Sequence, residues 1–152
     1  MGTKPNILFF MVDQWNAEFF SEYGHPDVKT PNIDRLIRGG ASFRNCFTVN
    51  PICQPSRVSF FTGQYIHTHR VETNHKGSRP RSVVHPLAKE LKEKAGYRTG
   101  AFGKLHLGEF EEDAGFDKIA HACDNPFGES EYYTYLKEKG LLDAYLNKER
   151  VP

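Results

Sequence analysis

The chain has no apolar stretch long enough to cross a membrane, no pair of cysteines spaced C-x-x-C, and almost no surplus of charge of either sign. Its longest apolar run, Asn6 to Val12, is far shorter than a span and lacks a small-residue cleavage site, so neither a membrane anchor nor a secretory leader is expected. Cys46, Cys53 and Cys123 are too few and too scattered for a disulfide framework, which predicts a reducing, cytoplasmic setting. Without C-x-x-C, thioredoxin-like redox work and a zinc ribbon lose their main support. A formal net charge of +1 gives no electrostatic footprint for nucleic acid or for a membrane surface. What remains is an ordinary globular composition, 38% hydrophobic and 26% charged. At 152 residues the chain is of one-domain size, able to bury roughly 70% of its unfolded surface. No internal repeat or low-complexity tract interrupts it.

Periodicity and punctuation predict an α/β chain. The continuous apolar run Asn6 to Val12 suits a buried parallel strand, and Asp13-Gln14 stand at its carboxyl end, where open α/β sheets place their ligands. Trp15 to Tyr23 reads as a short helix or irregular segment, and Gly24 to Asp27 as a turn. Thr30 caps and Pro31 opens a helix with Ile33, Leu36 and Ile37 on one face, ended by Gly39 or Gly40. Ala41 to Phe47 alternates as a strand would. Pro86 to Ala95 is amphipathic, with Leu87, Ala88, Leu91 and Ala95 as its buried stripe and Gly96 as its stop. Tyr97 to Phe102 and Phe116 to Ala120 read as strands, Asp124 to Gly128 as a loop, and Ser130 to Lys139 and Leu141 to Lys148 as helices parted by Gly140.

Cys53-Gln54-Pro55-Ser56-Arg57 carries the most chemistry. Pro55 suits a first helical turn and Gly63 the position after the last, so Cys53 would lie at the positive end of a short helix, with Arg57 one turn on. A thiol there would be reactive, although a lone cysteine in an apolar stretch is more often a small buried hydrophobe. A phosphate-loop phosphatase would need its arginine six positions after the cysteine, where Ser59 stands. Asp13 and Gln14 offer two oxygens to a hard cation such as calcium or magnesium, or else Asp13 caps the following turn. His67, His69, Arg70, His75, Lys76, Arg79 and Arg81 make a basic loop relieved only by Glu72, solvated by default and able to steer an anion. His67 and His69 alone are a weak zinc signal. Asn74 in that loop is a candidate substrate contact. Lys104 and His106, if strand geometry continues past Phe102, would point to one face. The spacing is not that of a Walker loop, because Leu105 replaces the required hydroxyl residue.

Several of these motifs together carry a resemblance. Cys53-Gln54-Pro55-Ser56-Arg57 with Thr62-Gly63, the Thr30-Pro31-Asn32-Ile33-Asp34-Arg35-Leu36 run before it, and Gly103-Lys104-Leu105-His106-Leu107-Gly108 after it resemble, in order, the signatures of type I sulfatases of the alkaline phosphatase superfamily. The likeness runs from about Pro5 to Asp117. It implies an alkaline-phosphatase-like α/β fold, a mixed, mostly parallel sheet flanked by helices, of which 1–152 would be an incomplete N-terminal part lacking later strands and a second pair of metal ligands. It further implies that a maturation enzyme oxidises Cys53 to formylglycine, whose hydrate is the nucleophile on a sulfate ester. A divalent metal, calcium above all, would lie on Asp13, Gln14 and the matured Cys53, with Arg57 and Lys104 stabilising oxygen charge and His106 assisting as acid or base. The second member of the acidic pair is here the neutral Gln14. An Asp-Gln pair is also similar to phosphonate monoester hydrolases, which leaves phosphonate or phosphate monoesters as an alternative. The Lys-x-His pair favours sulfate. A non-catalytic anion-binding fragment is the reading from another class.

Overall fold

The computed structural model describes residues 4–81, 85–122 and 130–146. They fall into two compact units, residues 1–47 and 48–152.

In the first unit the chain makes two single-turn 3-10 helices, Ala17–Phe19 and Ser21–Tyr23, and then helix α1, Pro31–Gly39. The expected opening of α1 by Pro31 is observed, but the Thr30 side chain does not cap the helix. It is committed elsewhere: Thr30 Oγ1 accepts from the Ser21 backbone N–H at 3.0 Å and donates to Asp34 Oδ1 at 2.8 Å. Ser21 Oγ donates to Asp34 Oδ2 at 2.5 Å, and the Glu22 N–H donates to Asp34 Oδ1 at 3.2 Å. The buried Asp34 is thereby the knot that ties α1 to the turn at Ser21–Tyr23. The Ser21 hydroxyl foremost, with Thr30, the Glu22 amide and Arg38, holds its carboxyl below the usual carboxylate range.

The strands expected at Asn6 to Val12 and Ala41 to Phe47 are not formed. Both segments lie outside helices and sheets and are exposed, with Leu8 77% and Phe10 81% accessible. A run of consecutive apolar residues has two apolar faces, and a strand exists only with a hydrogen-bonding neighbour. Among the described residues no sheet partner lies beside either one.

The second unit is built on strands β1, Gly100–Gly103, and β2, Lys118–His121, which pair in parallel with Gly100 opposite Lys118 and Gly103 opposite His121. Parallel neighbours need a crossover. Here it runs from Lys104 through two 3-10 turns, Gly108–Phe110 and Glu112–Ala114, so the Lys-x-His element leaves the carboxyl end of β1. Helix α2, Cys53–Thr62, and the short α3, Ile66–His69, precede the sheet. Val58, Val71, Leu105, Leu107, Phe110 and Ala114 form the core, bordered by Phe61, Ala101, Phe116 and Ile119. Each wholly buried Val, Leu or Phe there contributes roughly 1.5–3 kcal/mol.

Helix α4, Leu87–Ala95, buries Ala88 and half-buries Leu87, Leu91 and Ala95, as its pattern predicts, and Gly96 closes it in a left-handed conformation at φ 65°. A Cβ on Gly115 would stand 2.7 Å from Lys89 Cβ, so only glycine lets α4 rest on that turn. Lys92 pairs with Asp117 at 2.5 Å, and Asp117 accepts from the Thr99 N–H at 2.8 Å. Helix α5, Glu131–Glu138, has Ser130 as a side-chain cap accepting from the Tyr133 N–H, and α6 covers Leu142–Leu146. The expected loop Asp124 to Gly128 and the end of the last helix at Lys148 lie outside the described residues. No described helix is long and apolar enough to cross a membrane.

The Asp34 knot has a pH signature. Its folded carboxyl titrates below the ordinary value of 3.8, so its stabilisation is complete above that value and is lost as pH falls through the folded one. Trp15, stacked on Phe20 at 5.4 Å, reports on this unit. Thermal unfolding followed by Trp15 fluorescence below about pH 4 is expected to show an acid limb in the parent and a flattened one in Asp34→Asn. Superimposable limbs would show that the carboxylate contributes nothing.

Candidate active site

Loop 48–52 delivers the Cys motif through its own polar side chains. Thr48 Oγ1 donates to the Asn50 carbonyl at 2.8 Å, and Asn50 Oδ1 accepts from the Ile52 N–H at 2.7 Å. Thr48 also hydrogen-bonds Ser56 Oγ at 2.8 Å, which fastens the loop to the first turn of α2. The helix then runs as expected. Cys53 is its first residue, and Gly63 ends it in a left-handed turn at φ 67°, its N–H donating to the Ser59 carbonyl. The Cys53 thiol is free and half-buried; Cys46 is free and exposed.

The residue before α2 is Ile52, which has no side-chain acceptor for the first-turn N–H groups. The cap comes from far along the chain. Asn74 Oδ1 accepts from the Gln54 backbone N–H at 3.0 Å, while Asn74 Nδ2 donates to Cys53 Sγ at 3.5 Å. Asn74, expected as a substrate contact, thus lies against the cysteine itself. Gln54 grips the same turn with its side chain. Its Oε1 accepts from the His75 N–H at 2.7 Å and its Nε2 donates to the His75 carbonyl at 3.1 Å. Gly108 closes over this pair at φ 66°, where a Cβ would be 2.6 Å from Gln54 Nε2 and 2.7 Å from the Ser78 carbonyl. Sequence reasoning passed over Gln54, because nothing local marks the second position of the motif as buried.

Arg57 is buried, and its Nη1 donates to the Lys104 carbonyl at 2.5 Å. That bond brings together the Cys motif and the Lys-x-His element, 47 residues apart in the chain. Strand geometry does not continue through Lys104 and His106, although the two remain half-buried in alternation with the buried Leu105 and Leu107. Strand β1 ends at Gly103, which has φ 98°, and His106 itself has φ 54°. Leu105 and Leu107 enter the core, and the half-buried Lys104 and His106 are presented by a turn and not by a pleat. A non-glycine residue in the left-handed region costs about 1–3 kcal/mol and persists where surrounding structure enforces it, often at functional positions.

The basic loop is less uniform than its sequence suggests. His69 is fully buried: its Nδ1 accepts from the Val71 N–H at 3.1 Å, so Nε2 carries the proton and donates to Ser59 Oγ at 2.8 Å. With both ring nitrogens engaged, His69 is no zinc ligand. Burial, helped by the neighbouring His67, lowers its pKa below the ordinary imidazole value. Arg79 pairs with Asp113, which leaves less of the loop's charge for an anion.

Asp13 and Gln14 belong to the first unit, exposed, with Gln14 in the left-handed region at φ 42°. Of the three described non-glycine residues with positive φ, two, Gln14 and His106, are candidate site residues. One carboxylate and one amide carbonyl form an all-oxygen donor pair, which fits a hard divalent cation. Among the described residues no cluster of three or more His, Cys, Asp or Glu could hold a metal by itself.

Residues 5–150 match the family model described as Sulfatase. The chain is 36% identical to an N-acetylglucosamine-6-O-sulfatase of Bacteroides thetaiotaomicron over 75% of its own length and 20% of that protein's. It is 34% identical to the human N-acetylgalactosamine-6-sulfatase over 82% of its length and 25% of the relative's. The chain therefore spans about a quarter or less of these relatives. A solved structure, Ps i-CgsB in complex with k-i-k-neocarrahexaose, superposes with a TM-score of 0.60 at 28% identity, over 85% of this chain and 31% of that one. The parallel β1–β2 pair with its helices is the expected alkaline-phosphatase-like α/β fold in part.

His69 generates a prediction. Its folded pKa is below the ordinary 6.5, so its contribution to stability is complete above that value and falls as pH drops through the window below it. The melting temperature of the second unit is expected to fall between about pH 7 and about pH 5. His69→Asn, which keeps an acceptor for the Val71 N–H without a titrating ring, should lower the melting temperature at neutral pH and flatten this slope. An unchanged slope would assign the acid sensitivity to another group.

Proposed function

The chain belongs to the sulfatase family, and from that premise we propose that Cys53 is the reacting position of a sulfuric ester hydrolase. The observation that carries this reading is the bond from Arg57 Nη1 to the Lys104 carbonyl, which joins the cysteine helix to the Lys-x-His turn. A cysteine at a helix start, a buried guanidinium one turn on and an ammonium on the adjoining turn together favour an anionic ester and the oxygen charge that develops as it is cleaved.

Formylglycine made from Cys53 would supply a hydrated aldehyde oxygen as nucleophile, and a divalent cation, calcium for preference, held by Asp13, Gln14 and that matured residue, would supply Lewis acidity. The remaining work falls to the chain's own groups. The amino end of α2 turns backbone dipoles toward the reacting position, and Lys104 binds the anionic oxygens. Arg57, locked onto the Lys104 carbonyl, adds charge and fixes where the Lys-x-His turn departs. His106 holds a proton for the leaving alcohol, and Asn74 Nδ2 offers a neutral donor beside residue 53. A formylglycine-generating maturation enzyme is the protein partner this chemistry requires, and a small-molecule sulfate ester is the substrate class.

The test is co-expression with such an enzyme, peptide mass spectrometry across Cys53, and assay of aryl sulfate, phosphate and phosphonate esters. The expected result is an aldehyde at residue 53 and preferential release of sulfate, abolished in Cys53→Ala and reduced in kcat by about 10²–10³-fold in Lys104→Ala. Cys53 remaining a thiol, with sulfate bound and never turned over, would make this an anion-binding module instead. Faster turnover of phosphonate than of sulfate would move it to the other ester class.

A further inference from the structure

We infer that Gln54 is a positioning residue for the reacting cysteine, acting through the 74–78 turn. Three hydrogen bonds join this one residue to Asn74 and His75: its backbone N–H to Asn74 Oδ1 at 3.0 Å, its Oε1 from the His75 N–H at 2.7 Å, and its Nε2 to the His75 carbonyl at 3.1 Å. Gln54 has 0% exposure, whereas Asn74 and His75 are exposed. An exposed turn samples many conformations unless something fixes its backbone. A buried primary amide that bonds both the N–H and the C=O of one residue pins that residue in place, because releasing the turn would leave the buried Gln54 amide unmet. The consequence appears one residue earlier. With His75 held, the Asn74 side chain is left in reach of both the α2 amino end and Cys53 Sγ, to which its Nδ2 donates at 3.5 Å.

The geometry also explains why glutamine is needed. Asparagine is a methylene too short to reach His75 from the same backbone, and glutamate would set an oxygen against the His75 carbonyl in place of the Nε2 donor. Gly108 seals the arrangement, since any side chain there would displace the Gln54 amide. Both side-chain hydrogen bonds of Gln54 go to His75, so it acts on the thiol through the turn that carries Asn74.

The inference rests on Cys53 as the reacting position, and it is tested on the unmatured thiol, where no ester need be hydrolysed. In a background of Cys46→Ser and Cys123→Ser, the rate of Cys53 alkylation by iodoacetamide is measured at one neutral pH. The hydrogen bond from Asn74 holds Sγ in one orientation at the amino end of α2. Asn74→Ala is therefore expected to slow alkylation about fivefold, the equilibrium factor of one ordinary hydrogen bond. Gln54→Met, equal in length and without polar atoms, should slow it by a similar factor. The double variant should be no slower than Asn74→Ala alone, because both changes remove one contact. A parental rate in Gln54→Met, or losses that multiply in the double variant, would overturn the inference. If Gln54→Met does not fold, hydrogen exchange of the Gln54 side-chain amide in the unaltered chain decides. Protection lasting minutes or longer supports the pinned turn, and exchange as fast as an exposed amide overturns it. Failure of these tests would leave the ester-hydrolase reading untouched, and absence of sulfate turnover would leave these tests interpretable.

Discussion

Helix α2 begins without a cap of its own. Its first residue is the candidate nucleophile, the residue before it is Ile52, and an isoleucine side chain accepts nothing. Pro55 brings no N–H to the first turn, so the Gln54 amide is the donor that most needs an acceptor, and Asn74 supplies it from 20 residues away. Much of the second unit follows from that requirement. The turn carrying Asn74 must come back to the helix start, Gln54 must be buried to hold it, and the crossover must pass close enough for Gly108 to cover the Gln54 amide. A self-capped helix would leave the 74–78 turn free of any obligation to approach Cys53.

The burial of Arg57 is the second constraint, and it acts one turn further along the same helix. A guanidinium that is nearly out of water has to be met by acceptors. One of them is a backbone carbonyl, that of Lys104, and a carbonyl is presented by chain conformation and not by side-chain choice. The chain therefore has to leave β1 in a way that exposes this carbonyl. It does so by abandoning the pleat: Gly103, His106 and Gly108 all have positive φ, which turns the segment sharply while Leu105 and Leu107 remain in the core. The position of Lys104 is thus a product of satisfying Arg57.

This explains what could be read from the sequence. The α2 boundaries, α4, the Pro31 start of α1 and the approximate places of β1 and β2 were legible because each is set by residues within a turn or two: a proline at a start, a glycine at an end, an apolar stripe between. The features that finish the site were not. Gln54 with His75 and Ser59 with His69 are pairs formed between distant parts of the chain by uncharged polar groups, which leave no periodic trace. Helix α2 itself buries Gln54, Arg57 and Ser59 beside Val58, so its interior face does not look like an interior face. The run Asn6 to Val12 failed in the opposite way. Its local pattern is that of a buried strand, but pairing is a long-range property that no local pattern supplies, and so it stands exposed beside the candidate ligands Asp13 and Gln14.

Polar burial around α2 also bears on how reactivity and stability are divided. A helix that buries Gln54, Arg57 and Ser59 beside Pro55 and Val58 gains less from apolar contact than one lined with leucine, and each of the three polar side chains has a specific partner whose loss leaves another group unmet. Such a helix is defined more by geometry than by hydrophobic adhesion. That suits an element whose first residue must be held at a fixed place, since satisfied hydrogen bonds fix direction and distance where apolar packing fixes mainly volume. The apolar contribution is drawn from the adjoining crossover, where Leu105, Leu107, Phe110 and Ala114 are buried together. Lys104 and His106 belong to this well-anchored segment, so the groups proposed to meet the anion stand on the part of the unit with the largest hydrophobic support, while the residue proposed to react stands where polar bonds set its direction.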